Sequence, residues 1–85
     1  MAMYYNIRLN LKWDESNQTY SVTSSDVPEL FTFGSGLTEI QHNVQEAIEL
    51  LLEALAERGE ERPEVLQTPV DWPVIELTLP IGVSV

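Results

Sequence analysis

Asp26–Gly59, DVPELFTFGSGLTEIQHNVQEAIELLLEALAERG, contains the only long helix this sequence can form. Advancing about 100° per residue from Leu37 brings Ile40, Val44, Ile48, Leu51 and Leu55 onto one apolar stripe with it. Glu39, Glu46, Glu49, Glu53 and Glu57 fall on the opposite face. The spacing predicts a helix over 37–58, about 33 Å long at 1.5 Å per residue. Ser35 or Gly36 is the expected N-cap, Glu39 sits in the first turn where the helix dipole favours an acid, and Gly59 follows the last turn as a natural stop. Such a helix is longer than a small sheet is wide, so its final turns are expected to project beyond the sheet or to pack on another subunit. Just before it, residues 30–33 form a short strand with Phe31 and Phe33 on one side and Thr32 on the other, closed by Gly34-Ser35-Gly36.

Upstream, Tyr5, Ile7, Leu9, Leu11 and Trp13 alternate with Tyr4, Asn6, Arg8, Asn10 and Lys12, the period of a half-buried strand over about 4–13. Asp14 to Gln18 is a run of turn formers, and alternation resumes with Tyr20 and Val22 in a second strand over about 19–24, giving an antiparallel hairpin. Ser24-Ser25-Asp26 ends it, and Pro28 holds Val27 extended. Downstream, 60–73 is polar, carries Pro63 and Pro69, and reads as a linker without period. Ile75, Leu77 and Leu79 then alternate with Val74, Glu76 and Thr78 in a fourth strand over 74–79, stopped by Pro80. The order β-β-β-α-β implies a single α+β domain over 1–85. A three-stranded antiparallel meander is covered on one face by the helix, and the last strand returns to an edge beside the first. The uncovered face, with Tyr4, Val74 and the C-terminal valines as candidates, points to a homo-oligomer, a dimer or tetramer.

Composition narrows the function classes. Eighty-five residues are near the lower end of what one apolar core can stabilise. The absence of cysteine removes disulfides, thiolate nucleophiles and thiolate metal sites and is compatible with a cytoplasmic setting. The polar alternation of the start is unlike a signal peptide, and no apolar run approaches the ~20 residues of a membrane span. Fourteen acids against four bases leave a formal net charge of −10. That charge disfavours direct nucleic-acid binding and suits either a basic protein partner or plain solubility.

No catalytic constellation is visible. His42 with Glu39 and Glu46 would place three ligands on one exposed helix with nothing opposite, so no metal is expected. Gly34-Ser35-Gly36 lacks the spacing and lysine of a phosphate loop, and Ser24, Ser25 and Ser35 have no elbow motif or second histidine. No cofactor is expected. The acidic stripe of Glu46, Glu49 and Glu53, with Leu50 on its flank as an apolar anchor, is the candidate partner-binding surface. Its like charges at three- and four-residue spacing disfavour the isolated helix by a few tenths of a kcal/mol each. A solvated face that keeps the protein soluble is the alternative reading of the same residues.

Asp26-Val27-Pro28-Glu29, then Phe31-Thr32-Phe33-Gly34-Ser35-Gly36, then Val44-Gln45-Glu46-Ala47-Ile48 and finally Gly59 with Pro63 resemble the HicB family of antitoxins. The resemblance runs from Tyr4 to about Leu79 and rests on turn and helix grammar. Glu29, Ser35 and Gly36 depart from the glycine, aspartate and threonine usual at those places. The resemblance implies a partial ribonuclease-H-like fold and a partner that is a small basic HicA-like toxin, an RNA-cleaving enzyme whose RNA-binding face the antitoxin covers. Ribonuclease-H chemistry needs an acid on the first strand; residues 4–13 hold none, so the chain is expected not to be an enzyme. Family members commonly carry a C-terminal DNA-binding segment, and none is expected here. A stand-alone structural or regulatory oligomer is the alternative function.

Overall fold

The computed structural model describes residues 3–84. Its regular elements are β1 (Asn10–Asp14), β2 (Thr19–Thr23), β3 (Phe31–Gly34), the helix α1 (Leu37–Arg58) and a short 3-10 turn over Glu64–Leu66. The strands form one antiparallel sheet in the order β1-β2-β3. β1 and β2 pair from Asn10↔Thr23 to Asp14↔Thr19, and β2 and β3 from Tyr20↔Gly34 to Thr23↔Phe31. The architecture is α+β, three antiparallel strands followed by one long helix.

Cross-strand partners share a face, so the register sorts the sheet into two surfaces. Leu11, Trp13, Tyr20, Val22, Thr32 and Gly34 look toward the helix, and Asn10, Lys12, Ser21, Thr23, Phe31 and Phe33 look away. The helix packs against β3, where the side chains beneath it are the small Thr32 and no side chain at all. A Cβ on Gly34 would collide with the Ile40 side chain and come within 2.9 Å of the Ile40 nitrogen. Ile40, Val44 and Ile48 of α1 join Val22, Val27, Leu30 and Leu66 in the core cluster.

The helix boundaries match the sequence reading, and so does the cap region. Gly36 is the N-cap, and Glu39 reaches back over the first turn. Its carboxylate accepts from the Ser35 amide at 3.3 Å and the Ser35 hydroxyl at 3.1 Å. At the other end Gly59 takes φ 68°, a left-handed conformation that a residue without Cβ adopts freely. Its amide donates to the Ala56 carbonyl at 3.2 Å while Glu60 donates to Leu55 at 2.9 Å, closing the last turn. The stripe itself needs one correction. Leu37 is 57% exposed, because the first helical side chain leans back over Gly36, where no element packs. In the last turns Leu55 is buried and Leu51 and Leu52 are half-buried.

Three further expectations are corrected. The first strand does not begin at residue 4. β2 ends at Thr23, opposite Asn10, so residues 4–9 find no ladder; their backbone is held by an isolated Tyr4↔Val70 bridge and by the bonds of Arg8 to Ser24 and Asp26. Tyr5, Ile7 and Leu9 still pack on the core at the expected period of two. The unpatterned stretch 60–73 is not a plain linker. Pro63 opens the 3-10 turn, and that turn drives Leu66 into the core with no exposed surface and Val65 against it. Residues 74–79 do not return to the sheet. They form no strand and make no backbone hydrogen bond among the described residues, with Val74, Ile75, Leu77 and Leu79 each more than half exposed. Val70 pairs antiparallel to Tyr4, so the following chain is carried off the end of the N-terminal segment instead of alongside β1. The radius of gyration, 14.7 Å, exceeds the roughly 12 Å of a compact domain this size for the same reason. Among the residues expected on the open face, Tyr4, Val74 and Val83 are exposed and Val85 lies outside the described residues.

Two substitutions test this packing. Gly34→Ala forces the helix off β3 and is expected to destabilise by about 1–3 kcal/mol, the cost of overpacking. Leu66→Ala opens a cavity under the helix and is expected to cost about 2–5 kcal/mol. Urea unfolding with unchanged m-values measures both; a Leu66→Ala midpoint equal to that of the parent would contradict the anchoring of this stretch.

Candidate docking surface

The rotation of α1 is set from inside. With Ile40, Val44, Ile48 and Leu55 buried, Glu46, Glu49, Leu50 and Glu53 all face outward and are exposed, Leu50 by 62%. The four predicted residues therefore share one face of one element. Few cations offset these acids. His42 Nε2 lies 3.7 Å from Glu46 Oε2, a pair that carries attraction only when the ring is protonated, and Arg58 sits 3.4 Å from Glu60 beyond the helix end. Glu49, Glu53 and Glu57 have no ionic partner among the described residues.

The bases are elsewhere and mostly engaged. Arg8 pairs with Asp26 at 3.2 Å, and Arg62 donates to the Leu66 carbonyl at 3.4 Å. Lys12 alone has neither an ion pair nor a side-chain hydrogen bond among the described residues. No continuous cationic patch results.

Asp26 has a role that the sequence reading missed. Its Oδ2 accepts from the Arg8 backbone amide at 2.9 Å and its Oδ1 from the Arg8 guanidinium at 3.2 Å, across a sequence separation that gives no local signal. Ser24 completes the junction. Its hydroxyl donates to the Arg8 carbonyl at 2.6 Å and accepts from the Asp26 and Val27 amides at 3.1 and 3.3 Å. This satisfies the backbone where β1 and β2 have ceased to pair, and it sets Val27 into the core. The Val27-Pro28-Glu29-Leu30 turn is closed by the Leu30 amide on the Val27 carbonyl at 3.0 Å.

β1 ends on an acid, one residue later than expected. The Asp14 carboxylate is occupied with the hairpin turn, accepting from the Ser16 and Asn17 amides at 3.0 and 3.3 Å and from Asn17 Nδ2 at 2.8 Å. It is therefore not presented to a shared metal with other acids. Among the described residues no group of three or more His, Asp or Glu side chains could hold a metal ion. The principal hollows are open to solvent. One is lined by Lys12, Trp13, Asp14, Glu15 and Ser21, the other by residues of the Ser25–Glu29 turn, Leu55 and Glu60–Glu64.

The apolar faces lie on the sheet. Phe31 and Phe33 form an edge-to-face pair, centroids 5.0 Å apart, on the side away from the helix and are 60% and 44% exposed. On the helix side, β1 lies beyond the cover of α1, so Leu11 and Trp13 remain 39% and 44% exposed even though Trp13 stacks edge-on against Tyr20 at 5.0 Å. These features define a small α+β domain that presents surfaces for other chains. The sequence pattern of one family, the HicB-like antitoxin of bacterial toxin–antitoxin systems, matches residues 5–72, and the chain belongs to that family. No curated protein and no solved structure matches it. The family implies a toxin as partner. No helix among the described residues is long and apolar enough to cross a membrane.

The electrostatics predict an acid limb. Hydrogen bonds from the Arg8 amide and side chain, then its charge, hold the Asp26 carboxyl below the usual range; the Asn17 side chain, then backbone amides, do the same for Asp14. Each carboxylate thus contributes stability that is present above the ordinary aspartate pKa of about 3.9 and is lost as pH falls through the lower folded value. Melting curves from pH 6 downward are expected to show a steep loss below about pH 4 in the parent and a shallower one in Asp26→Asn and Asp14→Asn. Parallel curves for all three proteins would remove these residues from the account.

Proposed function

We propose that this domain neutralises a small, basic, RNA-cleaving HicA-like toxin by docking it on the outer face of α1, through Glu46, Glu49, Leu50 and Glu53. The observation that supports this most is the row of outward acids on a helix whose opposite face buries Ile40, Val44, Ile48 and Leu55. Helix stability alone would favour lysines interleaved among those glutamates. A face that concentrates one sign of charge raises the encounter rate with a basic protein, and Leu50 supplies an apolar contact at its margin. The domain has no chemistry of its own in this reading. It acts by covering the toxin's RNA-binding surface, and the β-β-β-α unit is a partial ribonuclease-H-like fold without that fold's carboxylate site.

Stopped-flow association with a HicA-like toxin, at two ionic strengths, tests the reading. Replacing Glu46, Glu49 and Glu53 together with Gln is expected to slow association about tenfold and to flatten its salt dependence. The melting temperature should hold or rise slightly, because like-charge repulsion is relieved. Leu50→Ala is expected instead to raise the dissociation rate. Association rates unchanged in the triple Gln variant would reduce the stripe to a solvated face.

A further inference from the structure

The C-terminal segment is the largest apolar feature the fold leaves unused. From Ile75 every second residue is apolar (Ile75, Leu77, Leu79, Ile81, Val83), while Glu76, Thr78, Pro80, Gly82 and Ser84 stand between them. Those five apolar side chains are each more than half exposed. At ~3.3 Å per residue, Val74–Ser84 is an arm of about 36 Å. It has the pattern of a half-buried strand and no sheet to join.

We propose that this arm adds as a strand to the outer edge of β1 in a second copy of the chain, and that two copies exchange arms reciprocally. The complement it needs is present on β1. β1 is an edge strand in the order β1-β2-β3, so its outer backbone groups have no ladder partner. Its helix side carries Leu11 and Trp13, the part of that surface α1 does not reach, and its other side carries Lys12. An arm laid beside it with Ile75, Leu77 and Leu79 on the Leu11–Trp13 side places Glu76 on the Lys12 side. Glu76 is the only charge in the arm, and Lys12, which like Arg62 has no ionic partner among the described residues, is the one base whose side chain makes no hydrogen bond there either. Backbone direction alternates with side-chain direction in a strand. Run in the direction that turns the backbone groups of the odd residues to β1, the arm leaves Pro80, which has no amide hydrogen, facing outward, the place an edge strand tolerates it.

The β3 edge fits less well. Its helix side is occupied by α1, and laying the apolar residues along Phe31 and Phe33 would turn Glu76 toward that helix. The chain's own β1 is not where the arm is led. The Val70 amide donates to the Tyr4 carbonyl at 2.8 Å in antiparallel sense, the bend at Asp71–Trp72 follows, and the arm leaves past the end of the sheet. A reciprocal exchange about a two-fold axis closes, leaving neither arm nor receiving edge open.

Sedimentation equilibrium of the whole chain, without any toxin, is the test. A dimer is expected at tens of micromolar. Leu77→Asp and Leu79→Asp replace exposed side chains, so melting should hardly change while the dimer dissociation constant rises about tenfold or more. Lys12→Glu and Glu76→Lys move the net charge of −10 by two units in opposite directions. If only overall repulsion mattered, the second would strengthen the dimer. Exchange predicts that both weaken it, about fivefold each, and that the double variant restores it. A monomer at every concentration, a dimer indifferent to the arm substitutions, or a double charge exchange that fails to restore association would each overturn the proposal. Arm variants that stay dimeric but lose the toxin would overturn it too, assigning the arm to the toxin.

Discussion

The contact on which the molecule depends is the approach of α1 to β3 at Gly34. A backbone without a side chain there lets Ile40 descend onto the strand, and Ile40 then brings Val44 and Ile48 over Val22, Val27 and Leu30. Because interiors are close-packed, even one added methyl group at such a point must displace a whole element. With so small a chain, there is no second core to absorb the shift. The helix orientation that presents Glu46, Glu49 and Glu53 to solvent is a consequence of this seat, as is the burial of Leu66 beneath the same helix.

The seat is also off-centre, and that explains the surface. A helix laid on β3 cannot equally cover β1, so Leu11 and Trp13 are left partly bare on the inner side; Phe31 and Phe33 are exposed for another reason, because they point to the face away from the helix. A larger domain would cover them with another layer. Here the chain spends its later residues differently. Pro63–Leu66 closes over the helix, Val70 touches Tyr4, and the alternating apolar segment after Pro73 leaves the body. The result is a domain with one acidic face, unpaired sheet edges and an apolar arm, a set of features suited to association and consistent with a family of antitoxins.

Charge and apolar surface divide the labour. Five of the fourteen acids lie on the outside of α1, whereas β3 has no charged residue and the arm has only Glu76. In the two proposals made above, attraction of a basic partner and pairing between copies of the chain use separate surfaces. The Ser24–Arg8–Asp26 junction holds the N-terminal segment in place where the ladder has stopped, and it keeps the β1 edge aligned with the sheet.

The candidate acidic face could be read without coordinates because a helix is built from local bonds. Each amide pairs four residues back, so the period from Leu37 to Leu55 specifies both the helix and its outward residues, and the limits 37–58 follow from Gly36 and Gly59. The β1–β2 hairpin was legible for the same reason, its turn being made by the adjacent Asp14 and Asn17. Strands are different. Alternation names a face but no neighbour, so residues 4–9 and 74–79 carried a strand's pattern while only the assembled sheet decided whether an edge remained for them. Leu66, next to Val65 in an otherwise polar stretch, and Asp26, bonded to a residue far back in the chain, left no periodic trace. Their roles were decided by tertiary structure, because burial and long-range hydrogen bonds depend on which surfaces meet and not on the order of residues along the chain.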